Sequence, residues 1–151
     1  MGVKNYSNPK RVYFDMDGVL ADFEKEALDR NIPFNELKVQ IDAYRHLPIM
    51  EGAREAVLRF IEAGYEVFVL TKIPKKNPYA ATEKIFWIED HIPEFEDRII
   101  IAPDKGALGQ KGHILIDDHP EWANAHNFAT GGGQVIKFER DWNQVFKEAG
   151  I

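Results

Sequence analysis

Five short apolar runs, each ending abruptly in polar residues, alternate along this chain with segments of helical periodicity, and that alternation limits the architectures open to it. The runs are Arg11–Phe14, 65–71, 98–102, 113–116 and 134–138, rich in β-branched and aromatic residues and bounded by turn formers. Between them, Ala53, Ala56, Val57, Phe60 and Ile61 recur at helical spacing, with Gly64 beyond as a C-terminal cap. Ala81, Ile85, Ile88 and Ile92 mark the face of a second helix closed by Pro93. Pro120 suits the first turn of a helix after the fourth run. Asp141 with Gln144 resembles a capping box ahead of a last helix carrying Trp142, Val145, Phe146 and Ala149. Continuous apolar strands need cover on both faces, which predicts an α/β fold: a doubly wound, Rossmann-like, mostly parallel sheet of about five strands.

Residues 21–50 break the alternation, holding two weakly helical pieces separated by Ile32-Pro33. They are expected to form a small helical cap inserted after the first strand, over the crevice at the carboxyl ends of the strands, where open α/β sheets bind ligands. At 151 residues the chain fits one domain, 1–151, with this cap as its insertion. It lacks an uncharged apolar stretch of membrane-spanning length, and its first residues lack the apolar region of a secretory signal, so a cytoplasmic protein without a membrane partner is expected. The absence of cysteine excludes disulfides, thiolate catalysis and thiolate-bound zinc, leaving oxygen or imidazole as metal ligands. With 19 Lys and Arg against 25 Asp and Glu, the net charge of −6 argues against broad nucleic-acid binding, while a local basic groove stays open.

The chemistry-bearing residues stand where the strands end: Asp15 and Asp17 after the first, Thr71 and Lys72 after the second, Asp117 and Asp118 after the fourth, with Lys105 shortly after the third. Carboxylates gathered at one edge repel unless a hard divalent cation neutralises them, and an open, oxygen-only site beside phosphate-seeking groups favours Mg²⁺. A carboxylate beside Mg²⁺, a second two residues on, a hydroxyl and a lysine meet the needs of covalent phosphoryl transfer. One aspartate attacks phosphorus, and its neighbour protonates the leaving oxygen and then activates water. Thr71, Lys105 and Mg²⁺ hold the equatorial oxygens.

The string from Asp15 to Phe23, Asp-Met-Asp-Gly-Val-Leu-Ala-Asp-Phe, resembles the first motif of the haloacid dehalogenase superfamily of aspartate-nucleophile phosphatases. Thr71, Lys105 and Asp117-Asp118 follow in the order of its later motifs. The 5′(3′)-deoxyribonucleotidase-like family is the nearest subgroup by its Leu-Thr-x-x-Pro segment, Pro78-Tyr79, Asp104-Lys105 and Leu115-Ile116-Asp117-Asp118. The resemblance implies Asp15 as nucleophile and metal ligand, and Asp17 as general acid/base giving its backbone carbonyl to Mg²⁺. It further implies Asp118 as a direct metal ligand, Asp117 in support, Thr71 and Lys105 as phosphate holders, and Phe23 against the substrate; Lys72, next to Thr71, is a further candidate phosphate contact. Lys72 stands where that family has a small hydroxyl residue, His119 where it has an arginine, and the cap is shorter. His119, beside the acidic pair, becomes a candidate substrate contact.

Read without the resemblance, several residues have plainer explanations. Thr71 alone fits a strand-end hydroxyl bonded to its own backbone, and Lys105 a solvated lysine, with Lys84 and, more weakly, Lys111 as competitors for its place. Lys72, Lys75 and Lys76 read either as a solvated face or as an attractor of anions. The other histidines, His46, His91, His113 and His126, show no zinc-site spacing, and Gly131-Gly132-Gly133 reads as a flexible connection. Trp87, Trp122 and Trp142 fall on predicted helices as packing residues. The expected function is a Mg²⁺-dependent phosphomonoesterase with a small phosphorylated substrate, foremost a (deoxy)nucleoside monophosphate. Another phosphorylated metabolite, a polynucleotide phosphate end or a noncatalytic phospho-ligand module are the alternatives. The open crevice would admit a larger substrate or a covering subunit of a homo-oligomer.

Overall fold

The computed structural model describes residues 10–151; the polar leader before them lies outside the described residues. Five strands, β1 (Arg11–Phe14), β2 (Glu66–Thr71), β3 (Ile99–Ile101), β4 (Ile114–Asp117) and β5 (Gln134–Lys137), form one sheet in the order β3-β2-β1-β4-β5, with every pairing parallel. The five helices are α1 (Phe23–Arg30) and α2 (Phe34–Leu37) in the cap, then α3 (Ala53–Glu62), α4 (Ala80–His91) and α5 (Trp142–Ala149). The chain moves from β1 outward to β2 and β3, then returns to lay β4 on the other side of β1. That reversal opens a crevice between the ends of β1 and β4, the position where ligands bind in such sheets.

Val12, Phe14, Val67, Val69, Ile114, Ile116 and Ile136 put one sheet face into the main core, shared with α3, α4, α5 and the cap. Phe60 of α3 meets the Phe14 ring edge-on at 5.6 Å. The other face carries Tyr13, Leu70 and Leu115 and is covered by Ala125, Phe128 and Leu108, which belong to two 3-10 turns, Lys105–Leu108 and Ala125–Phe128. The helix expected after the fourth strand is therefore reduced to a turn. Ala123 and Asn124 take positive φ, 51° and 55°, a conformation incompatible with an α-helix through that segment. Trp122 is correspondingly neither helical nor in the core; it is 55% exposed.

The face of α4 departs in part from the one its isoleucines suggest. Ile88 and Ile92 are buried as expected, but Ile85 is exposed, and Ala80, Glu83, Lys84 and Trp87 are buried, so the inward stripe includes two charged residues. The triple glycine packs tightly rather than flexing freely: a Cβ on Gly131 would stand 2.1 Å from the carbonyl oxygen of Gly109, which lets the two loops touch backbone to backbone. No helix among the described residues is long and apolar enough to cross a membrane.

Candidate active site

Strand β1 delivers Asp15 to the crevice, and its backbone amide extends the pairing with β4 by donating to the Ile116 carbonyl at 2.9 Å. The chain then turns sharply, with the amides of Leu20 and Ala21 both donating to the Met16 carbonyl at 2.9 Å. The turn depends on Gly18, whose φ is +85° and whose missing Cβ would lie 2.1 Å from Oδ2 of Asp118. Any other side chain there displaces Asp118, so the glycine brings the first acidic turn against the second.

Asp15, Asp117 and Asp118 each place a carboxylate oxygen within 4.8 Å of the others. Lys105, carried by the 3-10 turn after β3, inserts its ammonium between two of them, donating to Asp15 Oδ1 at 2.8 Å and Asp117 Oδ2 at 2.9 Å. Burial opposes the charge on Lys105, yet these carboxylates more than offset it and its pKa lies above the ordinary lysine value. The second oxygen of Asp117 accepts the His119 amide at 2.8 Å, so this carboxylate is fully engaged by protein donors. Burial and the neighbouring Asp15 nevertheless raise its pKa. Asp118 Oδ2 lies 3.7 Å from His119 Nε2. Burial first, then Asp15 and Asp117, push its carboxyl up to about 9.

A second buried lysine completes the site. Lys84, 1% exposed on α4, donates to Asp17 Oδ2 at 3.0 Å, Thr71 Oγ1 at 2.8 Å and the Lys72 carbonyl at 2.8 Å, with its ammonium 4.6 Å from the Tyr44 ring centre. Lys84 and Lys105, competitors for one position by sequence, both bind site residues: Lys105 lines the cleft, and Lys84 supports Asp17 and Thr71 from beneath it. The other oxygen of Asp17, Oδ1, is buried without a hydrogen-bond partner. Four carboxyl groups share two ammonium groups, and the oxygen-only donor set suits a hard divalent cation such as Mg²⁺.

The cleft over this centre measures about 1250 Å³. One wall comes from the cap, where Phe23 is buried between Phe34 (ring centres 4.6 Å apart) and Tyr44 (5.4 Å); Phe34, 44% exposed, is the open member of the three. The His119 ring stacks on Trp122 at 3.7 Å on another rim. Lys72 lines the cleft with an exposed side chain, its carbonyl fixed by Lys84. Lys111 is absent from the lining, whereas Tyr44, Trp122 and Arg140, none of them singled out as site residues by the sequence reading, are present. Arg140 escapes a sequence reading because only the fold brings it to Asp22, which its guanidinium grips with two hydrogen bonds, at 2.7 and 3.0 Å.

A parallel α/β sheet with an aspartate pair leaving its central strand, a hydroxyl at the end of the next, and an acidic pair across the crevice defines the haloacid dehalogenase type of protein. Residues 34–149 match the family model described as 5′ nucleotidase, deoxy (pyrimidine), cytosolic type C protein. The chain is 30% identical to the mitochondrial 5′(3′)-deoxyribonucleotidase of Mus musculus, over 79% of this chain and 69% of that protein. It is 31% identical to the cytosolic-type 5′(3′)-deoxyribonucleotidase of Homo sapiens, over 72% of this chain and 70% of that one. A protein of Bordetella bronchiseptica named as a putative 5′(3′)-deoxyribonucleotidase is 28% identical over 72% and 74% of the two chains. The chain belongs to this 5′-nucleotidase family.

Proposed function

We propose that this protein is a Mg²⁺-dependent phosphatase of (deoxy)nucleoside monophosphates that works through an aspartyl-phosphate on Asp15. The observation that carries the reading is the pairing, at the base of one crevice, of Asp15 with Lys105 and of Asp17 with the buried Lys84. The substrate class rests on the relatives, named as 5′(3′)-deoxyribonucleotidases, and on the aromatic cap wall, which offers ring surface for a base.

In this reading an Asp15 oxygen attacks phosphorus in line, forming the Asp15–phosphorus bond as the ester bond breaks. Asp17, two residues on, gives its proton to the departing alkoxide. It then takes a proton from the water whose oxygen attacks the aspartyl phosphate, and the Asp15–phosphorus bond breaks to release inorganic phosphate. Thr71, Lys105 and Lys72 face the phosphate oxygens, Phe23 and His119 border the rest of the substrate, and Lys84 keeps Asp17 and Thr71 in register. Asp15, Asp118 and the Asp17 carbonyl would hold Mg²⁺, which neutralises carboxylate and phosphate charge, while Asp117 steadies Lys105.

The test is phosphate release from deoxynucleoside 5′- and 3′-monophosphates in Mg²⁺ and in EDTA, with wild type and Asp15→Asn. Turnover should need the metal and fall by about 10⁴-fold or more in the variant, and acid quenching should trap a phosphorylated wild-type chain. Full turnover by folded Asp15→Asn removes the mechanism. EDTA-sensitive turnover confined to phosphates without a base keeps the chemistry and discards the substrate.

A further inference from the structure

A row of cationic side chains runs along the cleft beyond the residues that the hydrolysis uses. Lys38 of the cap joins Lys75 and Lys76 of the segment after β2, and all three line the same opening as Lys72, which faces the reacting phosphate. The lysines that form ion pairs among the described residues are Lys25, Lys84 and Lys105, so none of Lys38, Lys75 and Lys76 is in an ion pair, in a chain of net charge −6. On the rim, Glu24 pairs with Arg140, which Asp22 also holds.

The row is built rather than incidental. Asn77, 1% exposed, donates from its side-chain amide to the carbonyls of Lys38 (3.0 Å) and Gln40 (3.1 Å), which fixes the cap lysine beside the loop lysines. The Asn77 amide closes the turn onto the Pro74 carbonyl at 3.1 Å, and Lys84 pins the Lys72 carbonyl. The cap is also tied down elsewhere: Glu83 accepts the amides of Asp42 and Tyr44, and the Trp87 indole donates to the Leu47 carbonyl. Anchored so, the cap leaves the lysine side of the cleft open.

A nucleoside monophosphate has a single phosphate, and hydrolysis places it at Asp15, which leaves the row nothing to bind. We propose that the preferred substrate is a nucleotide carrying a second phosphate, seated on Lys38, Lys75 and Lys76 while the first is hydrolysed. This rests on the phosphatase reading above. The second phosphate belongs either to a nucleoside bisphosphate or to the first linkage of a phosphorylated oligonucleotide end; the ammonium row recognises the charge common to both.

The experiment compares deoxythymidine 5′-monophosphate, deoxythymidine 3′,5′-bisphosphate, a 5′-phosphorylated dithymidylate and the same dinucleotide with an uncharged methylphosphonate linkage, using the whole chain with Mg²⁺. Phosphate release gives kcat/KM, and calorimetry on Asp15→Asn gives Kd without turnover. The second phosphate should raise kcat/KM and tighten Kd about tenfold. The gain should vanish with the methylphosphonate, shrink between about 50 and about 200 mM salt, and fall to near unity in Lys75→Gln/Lys76→Gln and in Lys38→Gln. Preference for the bisphosphate or for the dinucleotide identifies the source of the second phosphate. Equal Kd and kcat/KM for mono- and bisphosphate overturn the proposal, as does a gain that survives the methylphosphonate. Tighter bisphosphate binding with no phosphate released from any probe upholds the row and removes the hydrolase reading alone.

Discussion

Two lysines with different neighbours carry much of the site's electrostatics, and their duties separate at the level of single atoms. Lys105 binds the carboxylates at the ends of β1 and β4, whereas Lys84 binds Asp17, the Thr71 hydroxyl and a main-chain carbonyl. Replacing Lys84 by Met fills similar space with an apolar chain and strips three acceptors of their donor at once. The buried Thr71 contact alone then costs about 1–3 kcal/mol, which the main core should tolerate. Asp17, freed from its partner, no longer holds the orientation that proton transfer requires. Lys84→Met is therefore expected to lower kcat by about 10²-fold while circular dichroism stays native. A folded variant with wild-type kcat would show that Lys84 only packs.

Helix α1 begins at Asp22, where the cap leaves the sheet, and this one carboxylate does two jobs: it caps the helix by accepting the Lys25 amide at 3.1 Å and it takes the Arg140 guanidinium from the opposite loop. The Arg140 hydrogen bonds, against the opposition of burial and helped by the Lys25 amide, lower its pKa from the ordinary 3.8. A carboxylate with a depressed folded pKa contributes stability above its unfolded value and loses that contribution as pH falls through the folded value. Asn caps a helix as well as Asp, so Asp22→Asn isolates the ion pair. With Arg140 half exposed, the variant should be less stable by about 0.5–1 kcal/mol at pH 7, and the difference should close below pH 3.8; thermal melts across that range measure it. A pH-independent gap would assign the loss to geometry. The strand ends and their acidic residues are legible in the sequence because buried parallel strands are continuous apolar runs that stop where the sheet meets solvent. The inward face of α4 is so only in part, since burial there selects Glu83 and Lys84 for their hydrogen bonds to the cap and to the site, leaving Ile85 outside. Trp122 and Arg140 depend on left-handed backbone at Ala123, Asn124 and Arg140 and on contacts distant in sequence, which periodicity does not encode.

The sheet order gathers the like charges of the site at the reversal of the chain, so folding of the whole molecule and filling of its crevice are coupled. Asp118 stands closest to that conflict, its carboxyl pushed up to about 9 by burial and by Asp15 and Asp117. A carboxyl raised in the folded state withdraws stability at neutral pH, and an asparagine in its place withdraws none. In EDTA, Asp118→Asn should accordingly melt at or above the wild-type temperature. A cation that binds only the folded chain stabilises it by about 2.7 kcal/mol at a hundred times Kd, equivalent to roughly 5–10 °C in Tm for a chain of this size. The wild type should gain that shift in Mg²⁺ and the variant little of it, so the order of the two melting temperatures reverses between EDTA and Mg²⁺. Scanning calorimetry of both proteins in both conditions makes the comparison. Parallel responses to Mg²⁺ would place the cation away from Asp118, and a variant that melts well below wild type in EDTA would mean that the acidic cluster stabilises the fold by itself.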